Sequence, residues 1–269
     1  MFPLAVPVLA ASGGFETMEV APRESGVQFI RYADGQAILY NYRWELAREG
    51  RRVTVNGKGD NNKAGAERVE WVETSEMEMA GGGLRTRVWI KESSGAEKES
   101  WRIEYDWTAR KAAYTYRDRA SGKTEARTVT FGPRAFAADA MHFVLRGFPF
   151  EKGTGTAIKG EFVLTDGSVT KGAVIHRGEE RIGTAFGPLD TFKLEFRPSG
   201  IVGVLAPKMF IWYTKTTPHL FVRYDGKDDG FLKPRTTNEL VKYSPEARIR
   251  PEKGPPRGEA GSESGGQAF

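Results

Sequence analysis

The chain has 269 residues, with 40 Lys and Arg against 35 Asp and Glu, a net charge of +5 and no cysteine. Disulfides, thiolate catalysis and cysteine metal sites are therefore excluded, and an unaided core must hold the fold. The charges alternate with apolar residues and form no Lys/Arg run, as on the wet face of a half-buried sheet and unlike a nucleic-acid track, while six Trp, nine Tyr and sixteen Phe supply the rings for a core.

Residues 1–11, MFPLAVPVLAA, are an apolar run ending in small residues, and Val8-Leu9-Ala10 makes a signal-peptidase type of site before Ser12. The basic segment that opens a secretory signal is missing, so residues 1–14 read as the remnant of a truncated or misassigned signal on an exported protein, the alternative being a frayed N-terminal extension. Eleven residues are too few to span a bilayer, and no later apolar run is long enough for a transmembrane helix.

Strands follow at 27–32 and, past Asp34-Gly35, at 36–46. In the second, Tyr40, Tyr42, Trp44 and Leu46 face one way and Asn41, Arg43 and Glu45 the other. Asn56-Gly57 and Asn61-Asn62 predict turns, and Gly81-Gly82-Gly83 separates strands at 75–79 and 84–92, the latter carrying Trp89. The clearest alternation sets Trp101, Ile103, Tyr105 and Trp107 against Arg102, Glu104 and Asp106. Strands at 111–117 and 123–131, joined at Ser121-Gly122, complete an antiparallel first block.

Residues 135–150 predict the principal helix. Phe136, Met141, Val144, Leu145 and Phe148 recur at three- and four-residue steps, Arg146 and Gly147 suit a C-terminus, and Pro149 stops continuation. With strand-rich blocks on either side, such a helix packs across a sheet or plugs one end of a barrel.

Beyond it, strands at 153–165 and 168–177 form a hairpin across Asp166-Gly167, and Gly178 begins a link to 181–184. Strands at 188–197 (with Phe192), 207–213 (with Trp212 and Tyr213), 219–224 and 231–243 close the second block. The expected organisation is one β-rich domain over 15–243. Residues 244–269, rich in Pro, Gly, Ser and charge, have too few apolar residues to offset their ordering entropy and are expected to be disordered.

Little in the chain carries chemistry. His142, His176 and His219 fall in different elements, and Asp139 with His142 is a surface or capping pair sooner than a metal site. Gly153-Thr154-Gly155 enters a strand where a phosphate loop opens a helix, and Asp225 to Gly230 lacks the spacing and terminal Glu of a calcium loop. No serine stands in a G-x-S-x-G elbow. The expectation is a protein without catalytic residues, cofactor or metal.

Short stretches of the second block add a family. His142-Phe143-Val144-Leu145-Arg146, the run 183–193 (GTAFGPLDTFK) and Phe210-Ile211-Trp212-Tyr213-Thr214, with Tyr105-Asp106-Trp107 in the first block, resemble the bacterial family catalogued as domain of unknown function 3108 over about 35–243. The resemblance implies an exported, periplasmic protein whose antiparallel sheet curls into an open or closed barrel; with the helix read at 135–150, the expected fold is all-β, mainly antiparallel, with one mid-chain helix. It implies no reaction. Two functions follow as expectations. The first is a non-enzymatic periplasmic binding module in which Tyr40, Tyr42, Trp44, Trp89, Trp101, Trp107, Phe192, Trp212 and Tyr213 line a cavity for an apolar or lipid-like ligand. The alternative is an envelope scaffold or interaction protein with a filled interior, and behind both stands a hydrolase whose site the sequence does not display. No nucleic-acid partner is expected.

Overall fold

The computed structural model describes residues 18–33, 35, 37–200, 208–227 and 234–245. Segment 1–14, the tail from residue 246 and part of the Asp225 to Gly230 turn lie outside the described residues. The first eight strands are β1 (Arg23–Tyr32), β2 (Ile38–Glu49), β3 (Arg52–Asp60), β4 (Val69–Ala80), β5 (Gly83–Gly95), β6 (Glu99–Asp106), β7 (Lys111–Asp118) and β8 (Thr124–Thr130). After these come β9 (Ala135–Ala137), a single α-helical turn α1 (Met141–Val144), and 3-10 turns at Leu145–Gly147 and Phe150–Lys152. The chain closes with β10 (Ala157–Val163), β11 (Val169–Thr184), β12 (Gly187–Pro198), β13 (Met209–Thr214), β14 (Phe221–Gly226) and β15 (Thr236–Pro245).

All fifteen strands of the described residues belong to one sheet, ordered β8-β7-β6-β5-β4-β3-β2-β1-β15-β14-β13-β12-β11-β10-β9. Every neighbouring pair is antiparallel except β9 with β10, and β1 joins the two meanders by pairing with β15, Ile30 opposite Asn238. This order forces the sheet to curl. Laid flat, fourteen gaps of ~4.8 Å would hold the edges ~67 Å apart. Yet β8 and β9, the two edges, are consecutive in the chain, and the five steps from Thr130 to Ala135 reach at most ~18 Å. The two edges are therefore held close at one end, and β9 lies against β5 along an unpaired seam. Among the described residues no strand pairing crosses it, but the Arg127 guanidinium donates to the Asp166 carbonyl, and the Gly132 N–H donates to Glu161 Oε2 at 2.5 Å.

Strand alternation holds where it was clearest. In β2, Tyr42, Trp44 and Leu46 are buried while Arg43 and Glu45 are exposed, and in β6 Ile103 and Tyr105 are buried between exposed Arg102, Glu104 and Asp106. Two expected breaks are absent. Asn56-Gly57 lies within β3, where glycine lets rings cross the sheet: a Cβ at Gly57 would sit 2.2 Å from Tyr42 Oη, and one at Gly59 2.1 Å from the Trp71 ring. Gly178 starts no link, because it forms a bulge inside the sixteen-residue β11.

The helix expected over 135–150 is corrected as well. Residues 135–137 pair with β10 as a strand, only Met141–Val144 is α-helical, and the last turn is 3-10. Ala140 offers no capping side chain, and Pro149 drives Phe148 into extended backbone, with ψ 137. Residues 143–150 are all buried, so the apolar stripe of a surface helix has no counterpart here. The segment is a plug inside the curl. Phe143 meets the Trp44 ring edge-on at 5.0 Å, and Phe150 stacks on Phe192 at 4.5 Å. Arg146 pairs with the buried Glu24 of β1 at 2.5 Å, and Glu24 also accepts from Tyr243 Oη at 2.7 Å.

Candidate binding site at the seam

Along this seam, between the start of β5 and β9, a cavity of about 360 Å³ opens beside the plug. The start of β5 contributes Leu84, Arg85 and Thr86, the turn after β6 contributes Trp107 and Arg110, and the linker from β8 to β9 contributes Phe131 to Arg134. Phe136 of β9 and Val144 of the plug complete its wall. Leu84, Phe131, Phe136 and Val144 are buried and make an apolar floor. Arg85 is half-buried, with its guanidinium 5.6 Å from the Trp107 ring, whereas Arg110 and Arg134 are exposed at the rim.

The wall is held rigidly. The Trp107 indole N–H donates to the Thr86 carbonyl at 2.7 Å, and the Trp107 ring stacks on Tyr105 at 5.5 Å. The Thr86 hydroxyl donates to Asp139 Oδ2 at 3.1 Å and the Tyr105 hydroxyl to Oδ1 at 2.9 Å. Desolvation raises the Asp139 carboxyl to about 7 against the lowering effect of these two donors. The folded state thus keeps this proton to about pH 7, whereas the unfolded carboxyl releases it near 3.8. Between those values the folded state binds more protons, so stability falls as pH rises from about 4 to 7 and levels off beyond. From pH 5 to 7.5 the wild type is expected to lose about 2 kcal/mol relative to Asp139→Asn. Denaturant midpoints of the two proteins at both pH values check this, and parallel profiles would contradict it.

The nine aromatic residues predicted to bind ligand do not gather round one cavity. Trp107 alone of them lines the seam pocket. Trp44, Phe192 and Tyr213 are spent on the plug, the Tyr213 hydroxyl donating to the His142 carbonyl at 3.2 Å. Tyr42 is buried over Gly57, and Tyr40, on the same strand face, is 41% exposed beside Trp71. The Trp89 indole donates to Glu73 Oε1 at 3.0 Å, and Trp101 packs on Tyr116. Trp212 lies on the opposite sheet face from Tyr213, donating to Glu180 Oε2 at 3.0 Å next to Ile182 and Val222. Asp139 and His142 do not cooperate either. Asp139 faces Tyr105, whereas burial, aided by Arg146, depresses the His142 imidazole to about 3. Among the described residues, no group of three His, Asp or Glu side chains could hold a metal ion.

Sequence reasoning missed Arg85, Arg110 and Arg134. One local signal existed: the Gly132-Pro133 break shows that β8 ends there. Nothing local puts residue 85 beside residue 134.

A family model covers most of this fold. Residues 32–229, from the end of β1 through β14, match the family described as "Protein of unknown function (DUF3108)". The chain belongs to the DUF3108 family. No curated protein matches it. Among solved structures, a β-barrel-like protein of domain of unknown function DUF1849 from Brucella abortus matches this DUF3108 chain with a TM-score of 0.52 at 7% identity, over 85% of this chain and 98% of the other. That likeness shows the fold alone, a barrel-like curl of antiparallel sheet. Two weaker likenesses, each with a TM-score of 0.35, are to a protein from Bacteroides fragilis described as exported with a YmcC-like fold and to one from Parabacteroides distasonis described as a lipoprotein. Their identities are 8% and 10%; they cover 86% and 87% of this chain and 99% of each of the others. No helix among the described residues is long and apolar enough to cross a membrane.

Proposed function

We propose that this DUF3108 chain is an exported, non-enzymatic binding module that takes an apolar or lipid-like ligand in the seam pocket, its barrel centre being occupied by its own plug. The observation that carries this reading is the cavity of about 360 Å³ floored by Leu84, Phe131, Phe136 and Val144, within the ~300 to 1,000 Å³ range of small-molecule sites. Its hydroxyls are Thr86 and Thr108, and no His, Asp or Glu lines it to activate them, so the wall suits binding better than hydrolysis. Export rests on the family resemblance and the apolar segment 1–11.

A second reading, an envelope scaffold, has its own support in the buried run 143–150, which leaves the centre of the curl filled. An uncharged naphthylamine probe separates the two. Saturable fluorescence enhancement is expected in the wild type, with affinity reduced about tenfold or more in Ala135→Trp, where an indole on the half-buried pocket wall occupies the space. No saturable signal in the folded wild type would favour the scaffold.

A further inference from the structure

The arginines of the seam pocket define the head of the ligand as well as its chain. Arg85, Arg110 and Arg134 line the mouth of one cavity, and among the described residues none of them has an ion-pair partner or a side-chain hydrogen bond. Three cations around one cavity, none of them closed into an ion pair among the described residues, raise the local positive potential, and an arriving anion lowers it. Of the carboxylates beside lining residues, Asp139 accepts from Tyr105 and Thr86, Glu161 accepts from the Gly132 N–H and lies 3.9 Å from Lys171 Nζ, and Glu78, opposite Arg85 on β4, closes no ion pair with it among the described residues.

Arg110 adds an independent sign. Its backbone has φ 55, a left-handed conformation in which Gly or Asn is the ordinary residue, and the Phe131 N–H bonds its carbonyl at 3.0 Å. A strained position that carries a long cation at a pocket mouth points to a role for that cation. Below the arginines the floor is apolar, so a bare anion would leave most of the cavity unfilled.

We propose that the seam pocket selects single-chain amphiphiles with an anionic phosphate or carboxylate head, the chain lying on Leu84 and Phe136 and the head held by Arg85, Arg110 and Arg134. This rests on the seam pocket being the binding site. Guanidinium suits both heads because its planar fork of donors matches the oxygens of either. The volume, at the low end for ligand sites, suits one chain sooner than two.

Calorimetric titration with dodecyl phosphate, dodecanol and inorganic phosphate, each below its aggregation concentration, tests the assignment. Dodecyl phosphate is expected to bind about tenfold or more tightly than dodecanol, and the advantage should shrink as salt is raised. The double variant Arg110→Asn with Arg134→Gln should cut that advantage several-fold, Arg85 retaining the rest, and leave dodecanol binding unchanged. Asn tolerates the left-handed backbone, and both positions are exposed, so the fold should be preserved. Arg102→Gln, on an exposed face outside the pocket, removes one charge as a control and should change nothing. Equal affinity for dodecyl phosphate and dodecanol would overturn the headgroup assignment while leaving the pocket in place. Inorganic phosphate binding as tightly as dodecyl phosphate would overturn the amphiphile in favour of an ion site. Binding of none of the three would overturn the pocket reading as well.

Discussion

Arg146→Ala is expected to cost about 3–5 kcal/mol of stability, because it strands a carboxylate inside the curl. Glu24 is 1% and Arg146 3% exposed, their side chains meet at 2.5 Å, and the residues lie 122 positions apart in the chain. The guanidinium also lies 5.0 Å from the Phe143 ring centre and 5.9 Å from that of Trp44. It thus ties the plug to β1 and, through Tyr243 on Glu24, to β15. Removing the cation leaves Glu24 with one neutral donor, the Tyr243 hydroxyl. A fully apolar replacement behaves differently: Arg146→Met combined with Glu24→Leu removes both desolvated charges and should recover most of the loss. Urea midpoints of the single and double variants measure this. Equal destabilisation by both would show that packing, not charge, dominates at this position.

Phe150→Ala should cost a similar amount, about 3–5 kcal/mol, through the cavity it leaves. Phe150 is 2% exposed, stacks on Phe192 with planes 9° apart, and has Phe148, His176, Tyr213 and His219 within 6.0 Å between ring centres. Rings move into a void poorly, since each is held on its other side: Tyr213 by the bond to His142, and Phe192 by β12 in mid-sheet. Phe150→Leu, which keeps most of the volume, should cost under about 1.5 kcal/mol. Phe186→Ala provides the contrast. That ring is 46% exposed in the tight turn between β11 and β12, and its loss should stay within about 0.5 kcal/mol. Comparable losses at 150 and 186 would contradict the plug as the centre of the core.

The candidate site was less legible than the strands around it, for a reason visible in individual residues. Trp107 was singled out because it ends a clean alternation, and it does line the seam pocket. Trp44 was singled out on the same evidence and is consumed by packing, since an inward ring faces a cavity or a plug with the same sequence pattern. Arg85, Arg110 and Arg134 looked like ordinary solvated charges. They converge because the topology brings β5, the turn before β7 and the linker before β9 to one place.

What the sequence determined by itself is the local part: the alternation in β2 and β6, the turns at Asn61-Asn62, Gly81-Gly82, Ser121-Gly122 and Asp166-Gly167, and hence a mainly antiparallel all-β chain. Side chains on neighbouring residues of a strand point to opposite faces whatever the strand pairs with, so that signal survives without a partner. The tertiary structure alone decided the pairing of β1 with β15 across some 200 residues, the curl that brings edges β8 and β9 together, and the form of the segment between them. Residues 143–150 are apolar at helical spacing, but with protein on every side no wet face remains to define a period. Where the backbone breaks from helix is then set by the shape of the space that fifteen strands leave inside.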